Sequence, residues 1–173
     1  MDTLKALATR KSVREFTDEG ITFEDIKTIL TAGMSGPTCE NKRMWSFVVV
    51  RNKEKLGKLA VANGLDASPV RRAALGILVC GDLERALPEA PDYWVIDASI
   101  AAQNMVLAAH DLGIGSVWLG CWPSEDRVQE VKELFKLPET IVPHSILALG
   151  YAAEPDLTER DLYEGDRVHF DEW

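Results

Sequence analysis

Residues 93 to 113, YWVIDASIAAQNMVLAAHDLG, constrain the fold more than any other stretch of the chain. The pattern predicts one long helix ending at Gly113, where a glycine can take the left-handed C-cap conformation. Between Val95 and Ala109 nearly every face is apolar, and Ala98, Ser99, Ala101, Ala102, Ala108 and Ala109 are small. A helix apolar all round is buried all round, and small side chains let other backbones approach it closely. The plain reading is a central core helix. At 1.5 Å per residue it spans about 28 Å, which is hard to cover completely within 173 residues. That favours a homodimer in which both subunits cover it.

Around this helix the chain alternates. Residues 2 to 10 read as a short helix with Leu4 and Leu7 on one face. A second helix, about 22 to 33, opens at Thr22 with Asp25 three positions on, a variant of the capping box. Ile26, Ile29 and Leu30 give it an apolar stripe, and Gly33 and Pro37 supply stop signals. WSFVVVR (45 to 51) is β-branched and aromatic, which argues strand. A charged helix carrying Leu56 and Leu59 follows. ALGILVCGD (74 to 82) is continuously apolar, as expected of a strand buried on both faces. GSVWLG (115 to 120) and SILALGY (145 to 151) read as two more strands, with EDRVQEVKELF (125 to 135) a helix between them. This order makes the chain α/β or α+β. No repeat or linker divides it, so residues 1 to 173 are expected to form one domain. The stretch from Ala152 to Trp173 is polar and irregular, yet it carries Tyr163, Val168, Phe170 and Trp173. Disordered segments are poor in such groups; this one is expected to pack, for example on a partner subunit.

Composition removes several functions. A net charge of −9 opposes nucleic-acid binding over any large surface. No window approaches 18 uninterrupted apolar residues, so no membrane span is expected. MDTLKALATRKS lacks the apolar core of a signal peptide, and the expected location is the cytoplasm. Cys39, Cys80 and Cys121 are too few and too far apart for a disulfide framework or zinc site. His110, His144 and His169 show no metal-ligand spacing. No Ser-His-Asp or Cys-His arrangement supports covalent hydrolysis.

Against the acidic balance, RKSVREF places Arg10, Lys11 and Arg14 within five residues around Ser12. A guanidinium fork, a mobile ammonium and a hydroxyl can together hold one dianionic phosphate, although such clusters are commonly solvated faces. The usual phosphate loops are missing. There is no G-x-x-x-x-G-K-[ST], and GIGSVWLG (113 to 120) fails G-x-G-x-x-G at the third glycine.

Read together, the motifs resemble the nitroreductase family of flavoproteins. Its members open with R-R-S-x-R and continue with a helix, A-P-S-x-x-N-x-Q-P-W and a strand. Arg10, Lys11, Ser12 and Arg14 match the first motif; Pro37, Thr38, Asn41 and Trp45 match the second, with Phe47 to Val50 as its strand. The likeness continues through Gln103-Asn104 in the long helix, LGIGSVWLG and VPHSILALGYAAE to RVHFDEW, in order and over essentially the whole chain. It implies an α+β, three-layer fold with a central, mostly antiparallel sheet, in an intertwined homodimer with FMN at the interface. It implies that Arg10 and Ser12 hold the FMN phosphate with Lys11 and Arg14 nearby, and that Arg160 completes the phosphate site. Thr38, Cys39 and Asn41 would lie beside the flavin, and the backbone of Leu119 and Gly120 near its N5. The implied activity is transfer of a hydride from NADH or NADPH to FMN, then of electrons to a small electrophilic acceptor such as a nitroaromatic or quinone, in ping-pong fashion. No side chain is assigned as acid, base or nucleophile, because the cofactor carries the chemistry.

Some positions depart from the family pattern. Lys11 replaces an arginine and loses its fork. Glu40, Arg43 and Met44 stand where small, Gln and Pro residues are usual, which bears on acceptor choice. Cys39 is either redox-active or, more commonly for a small thiol, simply packed. Trp94, Trp118 and Trp122 are core aromatics or stacking platforms, and Asp97 reads as a buried hydrogen-bonded group rather than an acid. Arg71 and Arg72 are solvated, with a place near flavin N1 and O2 as the alternative. Residues 52 to 73 and 82 to 93 are expected to frame the entrance. The alternatives to the reductase are a flavin carrier that NAD(P)H does not reduce, a relative with other flavin chemistry such as reductive dehalogenation, and a module without flavin.

Overall fold

The structure, a computed structural model, describes residues 1–64 and 67–173; Leu65 and Asp66, within the expected entrance stretch 52 to 73, lie outside the described residues. Capping chemistry sets the helix boundaries. In α1 (Thr3–Thr9) the Asp2 carboxylate accepts from Lys5 N. In α2 (Phe23–Met34) Thr22 accepts from Asp25 N at 3.1 Å and donates to Asp25 Oδ2 at 2.7 Å, which realises the capping box read from the sequence. Asn52 caps α3 (Lys53–Ala62); a short α4 (Ser68–Arg72) follows with a proline in its first turn. The long helix α5 runs from Trp94 to Asp111. It closes with Gly113 at φ 77° and Ile114 N donating to Ala109 O at 2.8 Å, the six-to-one bond of a Schellman end. α6 (Glu125–Phe135) ends similarly through left-handed Lys136, with Leu137 N bonded to Lys132 O.

Four strands form one antiparallel sheet in the order β1-β2-β4-β3: β1 (Trp45–Val50), β2 (Leu75–Asp82), β3 (Gly115–Gly120) and β4 (Ile141–Gly150). β4 begins four residues earlier than its apolar run suggests. Pro143 hides this start, and it sits at the register shift between Val79 and Cys80 of β2, the irregularity where a central strand tolerates a residue without an N–H.

Helices cover both faces. Leu75, Ile77 and Val79 of β2, with Leu147 and Leu149 of β4, point into the layer of α2 and α5. Leu78, Cys80, Ile146 and Ala148 point into the opposite layer, with Leu56 and Leu59 of α3 and Val131 of α6. Alternate residues therefore serve two cores, which explains why β2 and β4 read as unbroken apolar runs. The fold is α+β and three-layered around an antiparallel sheet, as the resemblance implies.

α5 is buried through Trp94, Asp97, Ala98, Ala101, Ala102, Met105, Val106 and Ala109. Its remaining stripe is not: Ile96 is 51% exposed, and Ile100, Gln103 and Leu107 are only partly covered. The chain beyond Leu157 likewise leaves Leu162, Tyr163, Phe170 and Trp173 in solvent. No helix among the described residues is long and apolar enough to cross a membrane.

Candidate functional site

The basic segment leaves the C-terminus of α1 and crosses the end of the sheet. Ser12 bridges Ser116 of β3, and Val13 N donates to Ser116 O at 2.8 Å. Phe16 then bridges Ala152, and Thr17 N donates to Tyr151 O. This approach depends on Gly115, where an added Cβ would stand 2.9 Å from Val13. The motif is thus held to the sheet by its backbone.

Arg160 meets it from the far end of the chain. Its backbone N–H donates to Ala8 O at 3.2 Å, and its guanidinium donates to Ala8 O, in the last turn of α1, and to the carbonyl of the C-cap residue Arg10. A cation there also complements the negative end of a helix. Burial and the neighbouring Arg160 charge push the Arg10 guanidinium below its ordinary pKa. Among the described residues neither arginine has a carboxylate partner. Two neighbouring guanidiniums without a carboxylate between them raise the local positive potential, which favours an anion nearby, although Arg160 itself lines neither of the hollows along this segment. Lys11 is engaged by Asp156, whose carboxyl lies well below the usual carboxylate range through its bonds to Lys11 and Thr158.

Two adjoining hollows lie along this segment. One, of about 200 Å³, is lined by Arg10, Lys11, Val13, His110, Gly115 and Ser116 among others. The second, of about 540 Å³, is lined by Lys11, Ser12, Val13, Arg14, Glu154 and Asp156 among others, and its volume is that of a cofactor site. His110 donates to or accepts from Thr9 Oγ1 at 2.7 Å, and its pKa is lowered by burial and by Arg10. Nothing in the sequence signalled His110 or Asp156, because both reach the site through folding alone.

Leu119 and Gly120 stand at the other end of β3. Four residues at roughly 3.3 Å each put Gly120 about 13 Å from Ser116, so one strand connects the basic end to the expected flavin end. The Gly120 carbonyl accepts from Asn63 Nδ2 and Arg127 Nη1, both at 3.2 Å.

Thr38, Cys39 and Asn41 form a separate group. They precede β1, at the sheet edge opposite β3, and line neither hollow. Asn41 is exposed; Thr38 and Cys39 are half-buried. Both ends of their loop are tied to Asp97 of α5, which is 1% exposed and accepts from Cys39 N and Met44 N, each at 3.1 Å. Asp97 is therefore the buried hydrogen-bonded group that its place in the helix suggested. Trp94 is core, stacked edge-on against Trp122 and His144, while Trp122 is partly open. Arg72 is exposed and pairs with Glu15 at 2.8 Å; Arg71 lines a groove beside α3 and α6.

These residues define a class: an α+β protein with a cluster of basic side chains where the segment after its first helix meets an edge strand. The comparisons with known proteins make that class specific. The nitroreductase family model matches residues 7–68 and 61–151. A protein of Methanothermobacter thermautotrophicus, which carries a provisional NADH dehydrogenase/NAD(P)H nitroreductase name, is 45% identical over 173 residues, covering 100% of this chain and 88% of the relative. The oxygen-insensitive NADPH nitroreductase of Salmonella typhimurium is 30% identical, over 91% of this chain and 69% of its own length. Among solved structures, an FMN-dependent nitroreductase of Clostridium difficile superposes with a TM-score of 0.87 at 29% identity, over 99% of this chain and 100% of that one. The chain belongs to the nitroreductase family.

Proposed function

We propose that the chain is an FMN-dependent oxidoreductase that takes a hydride from NADH or NADPH and passes electrons to a small electrophilic acceptor, a nitroaromatic, a quinone or similar, by a ping-pong mechanism. All 173 residues would act as one FMN-binding unit, paired with a second copy in the cytoplasm. One observation carries the reading: Arg10 and Arg160 lie together at the end of α1 with no carboxylate partner among the described residues. Two fixed cations without a counterion suit the dianionic phosphate of a mononucleotide.

The residues present fit FMN. Arg10, Ser12 and Arg160 would hold the phosphate, with Arg14 beside it and Lys11 available on leaving Asp156. Thr38, Cys39 and Asn41 would face the flavin, and the backbone of Leu119 and Gly120 would border its redox-active edge. FMN, when bound, accepts a hydride and returns electrons, and the protein supplies binding, orientation and electrostatics. The uncovered stripe of α5 and the exposed apolar side chains after Leu157 support pairing with a second copy. Such pairing would also bring the Thr38–Asn41 loop of one copy toward the basic end of the other, two groups that a single chain keeps on opposite sheet edges.

The test is a visible spectrum of the purified protein before and after anaerobic addition of NADH, then NADPH. Yellow absorbance that bleaches with either supports the reductase. Yellow absorbance that neither bleaches would make the chain a flavin carrier, and a colourless protein that FMN does not reconstitute would overturn the reading of Arg10 and Ser12.

A further inference from the structure

The loop from Thr38 to Met44 combines two features that the reading above does not use. Glu40, Asn41 and Arg43 have φ of 46°, 55° and 53°, the left-handed region that residues with a Cβ enter at a cost. Asparagine tolerates that region; glutamate and arginine have no such excuse. Such backbone persists only where the surroundings over-determine it. Within the loop, Arg43 N donates to Thr38 Oγ1 at 3.1 Å, Arg43 Nε to Asn41 Oδ1 at 3.2 Å, and Asn41 N and Lys42 N to the carbonyls of Thr38 and Cys39. The rest of the molecule holds it through the buried Met44 side chain, through Asp82 N on Met44 O, and through one carboxylate, Asp97, which takes Cys39 N on Oδ1 and Met44 N on Oδ2.

Asp97 is a costly choice for a clamp. It is buried, and no salt bridge among the described residues neutralises it. Two backbone N–H groups and its position in the first turn of α5 are what oppose its desolvation. Being acceptor-only, an ionised carboxylate can take both amides at once; an amide side chain of the same shape can take one and must turn its own N–H₂ toward the other.

We propose that Asp97 is a positioning residue for cofactor binding: it holds the Thr38–Asn41 loop in its left-handed conformation before FMN arrives. The inference rests on the reading that this loop meets the flavin. Asp97 itself touches no substrate or cofactor. Its contribution is to spare the binding step the cost of ordering the loop.

The test follows FMN release from the holoprotein by the rise of flavin fluorescence on dilution. Asp97→Asn is expected to raise the FMN Kd about ten-fold or more, equivalent to about 1.4 kcal/mol, with the far-ultraviolet circular dichroism of the fold retained. Adding Glu40→Gly and Arg43→Gly to Asp97→Asn is expected to recover several-fold of that loss, because glycine occupies positive φ without strain. A merely structural role would show no such rescue. An unchanged Kd in Asp97→Asn, or a loss that the glycines do not relieve, would overturn the proposal. Amide hydrogen exchange of Cys39 and Met44 in the unsubstituted protein checks the clamp without any variant: strong protection supports it, and rates of unstructured peptide overturn it. If the unsubstituted protein does not bind FMN, the functional reading fails on that result, whereas exchange still reports the clamp.

Discussion

His144 makes the stability of this protein sensitive to mild acid. It lies on β4 and is 7% exposed, with Trp94 and Trp118 edge-on at 6.0 and 5.9 Å between ring centres. Ser99 Oγ donates to Val95 O and so receives Nε2–H at 3.1 Å, which leaves Nδ1 to accept from Ser145 Oγ at 3.0 Å. That assignment is the neutral ring. A second proton on Nδ1 would face Ser145, which is fully buried. Burial pushes the His144 pKa down to about 4. The folded value lies below the unfolded one, so the unfolded chain binds the extra proton between about pH 6.5 and 4. Stability from this group is full above about pH 6.5 and falls as pH drops toward 4. Proton linkage gives a loss of about 2 kcal/mol between pH 7 and 5, and about 3 kcal/mol in all, at about 1.36 kcal/mol per pH unit. The perturbation is His144→Gln, which keeps a donor and an acceptor but does not ionise. Urea unfolding of both proteins at pH 7, 6 and 5 gives the difference free of other titrating groups. The original protein should lose about 2 kcal/mol more than the variant over this range. Parallel loss in the two proteins would refute the placement of a neutral, buried ring at 144.

Other outcomes test the packing and the site. In Gly81→Ala the new Cβ would stand 2.2 Å from the Trp94 ring; overpacking of this kind costs about 1–3 kcal/mol or more and should lower the thermal midpoint. Gly115→Ala would press on Val13, and it should loosen FMN retention more than it lowers the melting temperature. Arg10→Ala should weaken FMN binding by at least ten-fold, since charge-assisted hydrogen bonds contribute about 1.5–3 kcal/mol, and the effect should grow as salt is lowered. Burial pushes the thiols of Cys80 and Cys121 up to about 12, so in the native protein a thiol reagent should modify Cys39 first, as a single fast thiol, and all three only after unfolding.

Much of the fold was legible because its signals are local. Thr22 with Asp25, and Gly113 after a long periodic run, are boundary chemistry that acts within a few residues, and the structure uses both. The doubled core of β2 was legible for a related reason, since an unbroken apolar run leaves neither face for water. The start of β4 was not, because Pro143 speaks against a strand until the irregularity opposite it is known. Strand order lay beyond sequence reading, since the pairing of β2 with β4 joins residues some seventy apart and leaves no periodicity to see. At the site, Arg10, Lys11 and Arg14 stood out as positive charge against an acidic background. Asp156 on Lys11 and Asn63 on Gly120 carried no such contrast. Left-handed Glu40 and Arg43 were invisible for the opposite reason: their residue types argue against the conformation they adopt.

The bridge between Ser12 and Ser116 also bears on colloidal behaviour. β3 ends the sheet, and an outer strand with free N–H and C=O groups templates association with other chains. Here the edge is covered at Ser116 by the basic segment, fastened by a backbone contact at Ser12 and Val13 rather than by a covering helix. A substitution that unseats this contact, such as Gly115→Ala, bares the strand, so that variant should turn turbid sooner in storage than the original protein at equal purity and unchanged secondary structure.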